Sequence, residues 1–189
     1  MKLQNIVIAC LALCLSGCVN TPKDSYIIKG KITNPILEGR TVYILDALNS
    51  NVKYDSAVVK NGVFEFTGKQ HDAVVRELLV LENDSDRFPV TMPFVLENGE
   101  IVAELGNRVY VTNTKGNEEM MEFLMDKDRF LDAGFEGVTD REQIKRKFAT
   151  FLSQQIMKHG NSVVGKYIFE AYKDKLTVEE QAECERFVK

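Results

Sequence analysis

The sequence predicts an α+β fold: an N-terminal antiparallel β-sandwich or partly closed barrel over residues 25–113, followed by about four helices over 117–189. Three observations predict it. The first half is rich in Val, Ile, Phe and Tyr at alternating positions and is broken by Asn-Gly and other turn signals, which is the pattern of half-buried strands. From Asn117 onward the apolar residues recur at three and four, the period of an amphipathic helix. The 189 residues are 44% apolar and 28% charged, enough for one compact domain or two small ones in close packing. The same balance excludes a disordered tail, a collagen-like fibre and a multi-pass membrane protein.

The strands follow in order. Tyr26, Ile28, Gly30 and Ile32 alternate against Lys29, Lys31 and Thr33, and Val42 to Leu45 is a short apolar strand. Asp55 to Val59 leads into Asn61-Gly62, a pair suited to a type I′ turn because both central residues take positive φ. Val63 to Thr67 follows, with Phe64 and Phe66 on one face. Val74 to Leu81 is a further strand whose first half also suits a helix. Phe88, Val90, Met92, Phe94 and Leu96 share one parity, while Pro89 and Pro93 fall on the other. Two residues without amide donors predict an edge strand or an irregular one. Asn98-Gly99 predicts a second hairpin into Glu100 to Leu105. Val109 and Val111 close the region after Gly106-Asn107. Eight short strands of this kind predict a sandwich or barrel. Asn61, Gly62, Asn98 and Gly99 read as structural turns rather than ligand loops. Gly30 and Gly68 read as relief of sheet crowding or as bulge positions.

The helices follow next. Met120, Phe123 and Leu124 begin the first, and Gly134 and Gly137 bracket its end. Thr139-Asp140-Arg141-Glu142 fits a capping box, in which the hydroxyl and the carboxylate each satisfy an orphan amide. It opens a helix striped by Ile144, Phe148, Phe151, Leu152 and Ile156, with Gly160 as its C′ residue. Asn161 or Ser162 caps a third helix carrying Val164, Ile168 and Tyr172. Thr177-Val178-Glu179-Glu180 is a second capping box, opening a helix that reaches Lys189. Phe187 and Val188 end it on an apolar pair, expected to contact another domain or a partner; a frayed terminus is the plainer alternative.

The N-terminus reads as a targeting device. Lys2 precedes an uncharged apolar run from Ile6 to Leu15, too short to span a hydrocarbon core. The run ends in Leu15-Ser16-Gly17-Cys18. This resembles the bacterial lipoprotein box, where cleavage falls before the cysteine, whose sulfur carries diacylglycerol and whose amine is acylated, for instance by palmitate. The resemblance implies a signal peptide at 1–17, lipidation at Cys18 and a lipid-anchored linker at 18–24. A simple secretory peptide or an uncleaved helical anchor are the alternatives. Loss of Lys2 leaves 23 basic and 28 acidic residues, a formal charge of −5. That argues against nucleic acid as partner and against electrostatic adhesion to anionic lipid, so attachment is expected from acyl chains. Val19 rather than Asp after Cys18 points, by analogy with lipoprotein sorting, to the outer membrane of the cell envelope. The facing side, periplasm or exterior, is left open.

Chemistry is sparse. Cys10 and Cys14 lie in the apolar run and Cys18 is assigned to lipid, which leaves Cys184. A lone thiol cannot run a two-cysteine exchange cycle. It is expected either buried on the stripe it shares with Phe187 and Val188 or paired with another chain. Phe187, Val188 and Cys184 are thus the expected partner contacts. His71, beside Asp72, and His159, near a helix end, do not converge on further ligands, so no zinc site is expected. Glu82, Asp84 and Asp86 read as a solvated turn, without calcium-hand spacing. Glu122, Asp126 and Asp128 share one helix, and Lys145, Arg146 and Lys147 read as a solvated face. No nucleophile elbow or phosphate loop is present. No catalytic residue, metal or cofactor is predicted.

Several segments recur in a known order: Tyr26-Ile27-Ile28-Lys29-Gly30-Lys31-Ile32, Gly39 with Val42-Tyr43-Ile44, Asp55-Ser56-Ala57-Val58-Val59, Asn61-Gly62-Val63-Phe64-Glu65-Phe66-Thr67-Gly68, and Phe94-Val95-Leu96-Glu97-Asn98-Gly99. Their arrangement resembles DUF4369, a domain of unknown function that precedes thioredoxin-like domains in envelope proteins of gut anaerobes. Asn161-Ser162-Val163-Val164-Gly165-Lys166-Tyr167-Ile168 resembles the helical stretch of the same proteins. In longer members a TlpA- or ResA-like domain follows, whose Cys-x-x-Cys exchanges disulfides; this sequence ends before such a domain would begin. The resemblance implies a noncatalytic envelope lipoprotein domain, an accessory or partner-recognition module related to thiol–disulfide exchange proteins. Its expected partners are the membrane, through the anchor, and an envelope protein or a missing thioredoxin-like domain. Two alternatives stay open: a truncated N-terminal part of a thioredoxin-like oxidoreductase, and a peptide- or glycan-binding module.

Overall fold

The computed structural model describes residues 24–81, 90–106, 109–133 and 135–189. Eight strands precede four α-helices: β1 Tyr26–Ile32, β2 Thr41–Asp46, β3 Lys53–Val58, β4 Val63–Gly68, β5 Val74–Val80, β6 Val90–Leu96, β7 Gly99–Leu105, β8 Val109–Thr112, α1 Lys115–Ala133, α2 Arg141–His159, α3 Val163–Tyr172 and α4 Val178–Val188. The strands form two four-stranded sheets, ordered β4-β1-β7-β8 and β3-β2-β5-β6. No barrel closes. The fold is α+β, with two packed sheets followed by helices.

The core follows from strand parity. Ile28, Phe64, Phe66, Ile101, Ala103 and Val111 bury one face of the first sheet, and Val42, Ile44, Leu78, Val80, Met92 and Phe94 bury one face of the second. These residues form one continuous hydrophobic cluster. The neighbouring parity of the second sheet meets the helices: α1 packs on β6, and also on β8 of the first sheet, and α3 packs on β5. Gly30 lies under the Phe64 ring, where an added Cβ would sit 2.1 Å from Cζ. Its bare backbone therefore admits an aromatic ring, and no bulge is involved in that contact.

The expected sandwich is present as two antiparallel-rich sheets, with one parallel pair: β1 pairs in parallel with β7 while pairing antiparallel with β4. Two expectations need correction. Asn98-Gly99 is not a hairpin. The strands it joins, β6 and β7, belong to different sheets, and Gly99 has positive φ while Asn98 does not. Asn98 instead bridges to the β4–β5 connection: its Nδ2 donates to Gln70 O (2.7 Å) and its Oδ1 accepts from Gln70 N (3.1 Å). The capping box at Thr139 is also not formed. Asp140 caps α2, accepting from the amides of Glu142 and Gln143, because a carboxylate one residue nearer the helix reaches the first free N–H groups directly.

Other local signals have structural counterparts. Asn61 and Gly62 have φ of 55° and 72°, and Lys60 bridges Val63 across them. The strands on either side then part into different sheets, so this tight turn is also a corner between layers. The Glu38 carboxylate accepts from both turn amides, at 2.8 and 2.9 Å. Pro93 lies on β6, an edge strand, where a missing donor costs no ladder bond; Phe88 and Pro89 lie outside the described residues. Ser162 caps α3, Gly160 ends α2, and Thr177 and Glu180 form a complete capping box on α4. α1 begins at Lys115, two residues before the apolar pattern expected.

Candidate functional site

The largest concave feature described is a cleft of about 780 Å3 where β6 and β8, one edge strand of each sheet, face α1 and the end of α3. β5 places Glu77 on the face opposite Leu78, and Thr91 and Pro93 of β6 stand beside it on the same parity. Met121, Leu124, Met125 and Asp128 recur at three and four along α1, so one side of that helix lines the cleft. Tyr167 and Tyr172 close it from α3, and Tyr110 from β8.

Its electrostatics are set by burial. The Glu77 carboxyl titrates above its ordinary value because burial disfavours the charge; a hydrogen bond with Thr91 opposes this. The Tyr167 phenol is raised as well, first by burial and then by Tyr172 and Glu77. Lys127 Nζ donates to the Tyr172 hydroxyl at 3.4 Å and lies 5.8 Å from the Phe123 ring centre. Arg129 Nη1 pairs with Asp126 at 2.9 Å. A site of this kind can hold a ligand by charge and by aromatic and thioether contact.

The residues singled out in the sequence do not converge there. Cys18 and the leader lie outside the described residues, as do Glu82, Asp84 and Asp86. Cys184 is a free cysteine with 0% exposure, which takes its thiol out of any contact surface in this arrangement. Burial raises its pKa, against the opposing Ser153 hydroxyl. Phe187 is 43% exposed, whereas Val188 packs against the core; the two are therefore not one apolar patch. His71 and Asp72 are exposed on a loop.

His159 is buried. Its Nδ1 faces Glu119 Oε1 at 2.9 Å, and the Ser162 hydroxyl donates to the same oxygen at 2.5 Å. Ser162 Oγ accepts from Gly165 N at 3.0 Å, and His159 Nε2 has no partner. Hydroxyl and imidazole both address the carboxylate rather than each other, so the histidine is not placed as a base for the serine. The group ties α1 to the end of α2 and the start of α3. Asp126 and Glu122 both pair with Lys158. Among the described residues no group of three or more His, Cys, Asp or Glu is placed to hold a metal ion, and no helix is long and apolar enough to cross a membrane.

The family model of the domain of unknown function DUF4369 matches residues 26–120. The chain belongs to this family. A comparison with curated proteins finds no match. The DUF4369 match runs past the last strand into the first turns of α1, and so takes in Gly116 and Asn117, which fasten that helix to β6. It also takes in the β5, β6 and β8 side of the cleft, while Tyr167 and Tyr172 lie beyond it. The sequence reading missed the cleft because Glu77 and Tyr167 are ordinary strand and helix residues until the sheet and helices meet. The one available signal was a carboxylate inside an apolar strand, Val74 to Val80.

Proposed function

We propose that this DUF4369 chain is a noncatalytic recognition module of the bacterial cell envelope, attached through lipid at Cys18 and related to thiol–disulfide exchange proteins through its resemblance to their N-terminal regions. The observation that carries recognition is the cleft, whose volume lies in the range of ligand pockets and whose walls set charged side chains and tyrosines among apolar ones. The state of Cys184 favours a noncatalytic role. A buried thiol with a raised pKa yields little thiolate, and the thiolate is the nucleophile.

The test has two parts. The full chain is expressed in a bacterium with an outer membrane and fed an alkyne analogue of palmitate. Label is expected in the membrane fraction and is expected to vanish in Cys18→Ala; equal labelling of both removes the anchor from the reading. A photo-crosslinking residue at Met125, exposed on the cleft rim, is expected to give discrete adducts in intact cells, and none from Lys60 on the far side. Insulin reduction by the purified mature chain that survives Cys184→Ser would overturn the noncatalytic assignment.

A further inference from the structure

The cleft carries more carboxylates than it neutralises. Glu77 is half-buried in its floor, hydrogen-bonded with Thr91 and in no described ion pair. Asp128 and Asp132 stand one turn apart on α1 along the same lining, and neither is in a described ion pair. Of the two cations of the lining, Arg129 pairs with Asp126 outside it, and Lys127 sits at the α3 end against the Tyr172 hydroxyl, so three carboxylates share the cleft with one cation that is in no described ion pair. A partly desolvated carboxylate without a counter-ion is costly, and an arriving cation recovers that cost. The adjoining Tyr167 and Tyr172 rings suit a charged head on an aliphatic stem, by cation–π attraction and by covering methylenes. An anionic ligand meets a lining in which carboxylates outnumber cations, and a neutral one leaves Glu77 without a counter-ion.

We propose that the cleft binds the lysine or arginine side chain of a partner protein, with its charged head on Glu77 and its stem along Tyr167 and Tyr172. This rests on the reading of the cleft as the recognition site and adds the chemistry of what it takes.

The test uses the full mature chain in detergent, with methyl-labelled methionine reporting from Met121 and Met125. Four capped pentapeptides, Ala-Leu-X-Leu-Ala with X as Lys, Arg, Gln or Glu, are titrated, together with spermidine as a free polyamine. The Lys and Arg peptides are expected to shift both methionines and to bind about tenfold or more tightly than the Gln peptide, the Glu peptide least of all. Glu77→Gln is expected to weaken the Lys peptide by about tenfold while leaving the Gln peptide unchanged. Equal binding of the Lys and Gln peptides at the methionines overturns the cation but leaves the cleft a recognition site. Binding of spermidine without either cationic peptide overturns the protein source. Shifts from no probe overturn the proposal, and with no Met125 adducts in cells they overturn the cleft reading too.

Discussion

The side chain of Asn117 occupies the place of a missing strand beside Val95. Its Nδ2 donates to Val95 O at 2.7 Å and its Oδ1 accepts from Val95 N at 2.9 Å, the two bonds a ladder neighbour would make. Asn117 has 0% exposure, and Gly116 before it lies against Val95 so closely that an added Cβ would sit 2.8 Å from Cγ1. β6 is thus an edge strand whose free groups are covered by an amide here and reduced at Pro93, which has no N–H. Such blunting opposes edge-to-edge pairing with other chains.

Asn117→Ala is therefore expected to leave a buried N–H and C=O without partners, at about 2–5 kcal/mol in urea unfolding. Asn117→Asp should do no better, since a carboxylate cannot donate to Val95 O. Hydrogen exchange provides the second readout. The Val95 amide should lose protection in Asn117→Ala, where nothing accepts from it, and a fully protected amide in that variant would contradict the pairing.

The contact between Gly30 and Phe64 makes a double-mutant cycle informative. Gly30→Ala alone should cost about 1–3 kcal/mol, because the ring must move. In a Phe64→Leu background the same change should cost at least about 1 kcal/mol less, the coupling expected of touching residues. Strict additivity would mean that the ring and the glycine do not share the space.

Asp126 and Lys158 predict opposite limbs of a stability profile. Asp126 is held below its ordinary value, first by its hydrogen bond with Lys158. Its contribution is complete above the unfolded carboxyl pKa, near 3.8, and is lost as pH falls through the lower folded value. Lys158 is raised by Asp126 and then Glu122, so its contribution is complete below about pH 10.5 and disappears as pH climbs through the folded value. Both are present at neutral pH. The lysine is 41% exposed, which keeps the expected gain to about 0.5–1 kcal/mol. Asp126→Asn should flatten the acid limb of denaturant midpoints measured against pH.

Glu77 has the reverse sign to Asp126. Its raised pKa means that the fold disfavours its ionisation, so stability is full below the unfolded value of 4.5 and declines as pH rises through the folded one. Glu77→Gln should be more stable than the parent at pH 7 and nearly equal to it at pH 4. Stability given up at a particular residue is commonly a mark of its use. A variant less stable at pH 7 would contradict the assigned strain.

Cys184 should resist thiol-exchange reagents in the native protein and react in step with global unfolding, as followed by residue-specific mass spectrometry against urea concentration. Fast modification of the folded chain would place the thiol at the surface.

Strand existence was legible because large apolar residues share one parity, as Phe64 does with Phe66 and Met92 with Phe94, and helix identity because Phe151, Leu152 and Ile156 recur on one stripe. The capping box at Thr177 was legible for the same local reason. Sheet partnership was not. Asn61-Gly62 and Asn98-Gly99 look alike in sequence, yet one forms a tight turn at a corner between sheets and the other a longer-range amide bridge to Gln70. The parallel register of β1 on β7 and the meeting of Glu77 with Tyr167 depend on contacts distant in sequence, which local periodicity does not encode.

β1 lies in the middle of its sheet, antiparallel to β4 on one side and parallel to β7 on the other. A pull applied at Ser25, along the strand, loads both ladders at once in shear, so their hydrogen bonds must yield together rather than peel one after another. A chain held at its N-terminal end would thereby be gripped by a strand that is laddered on both sides.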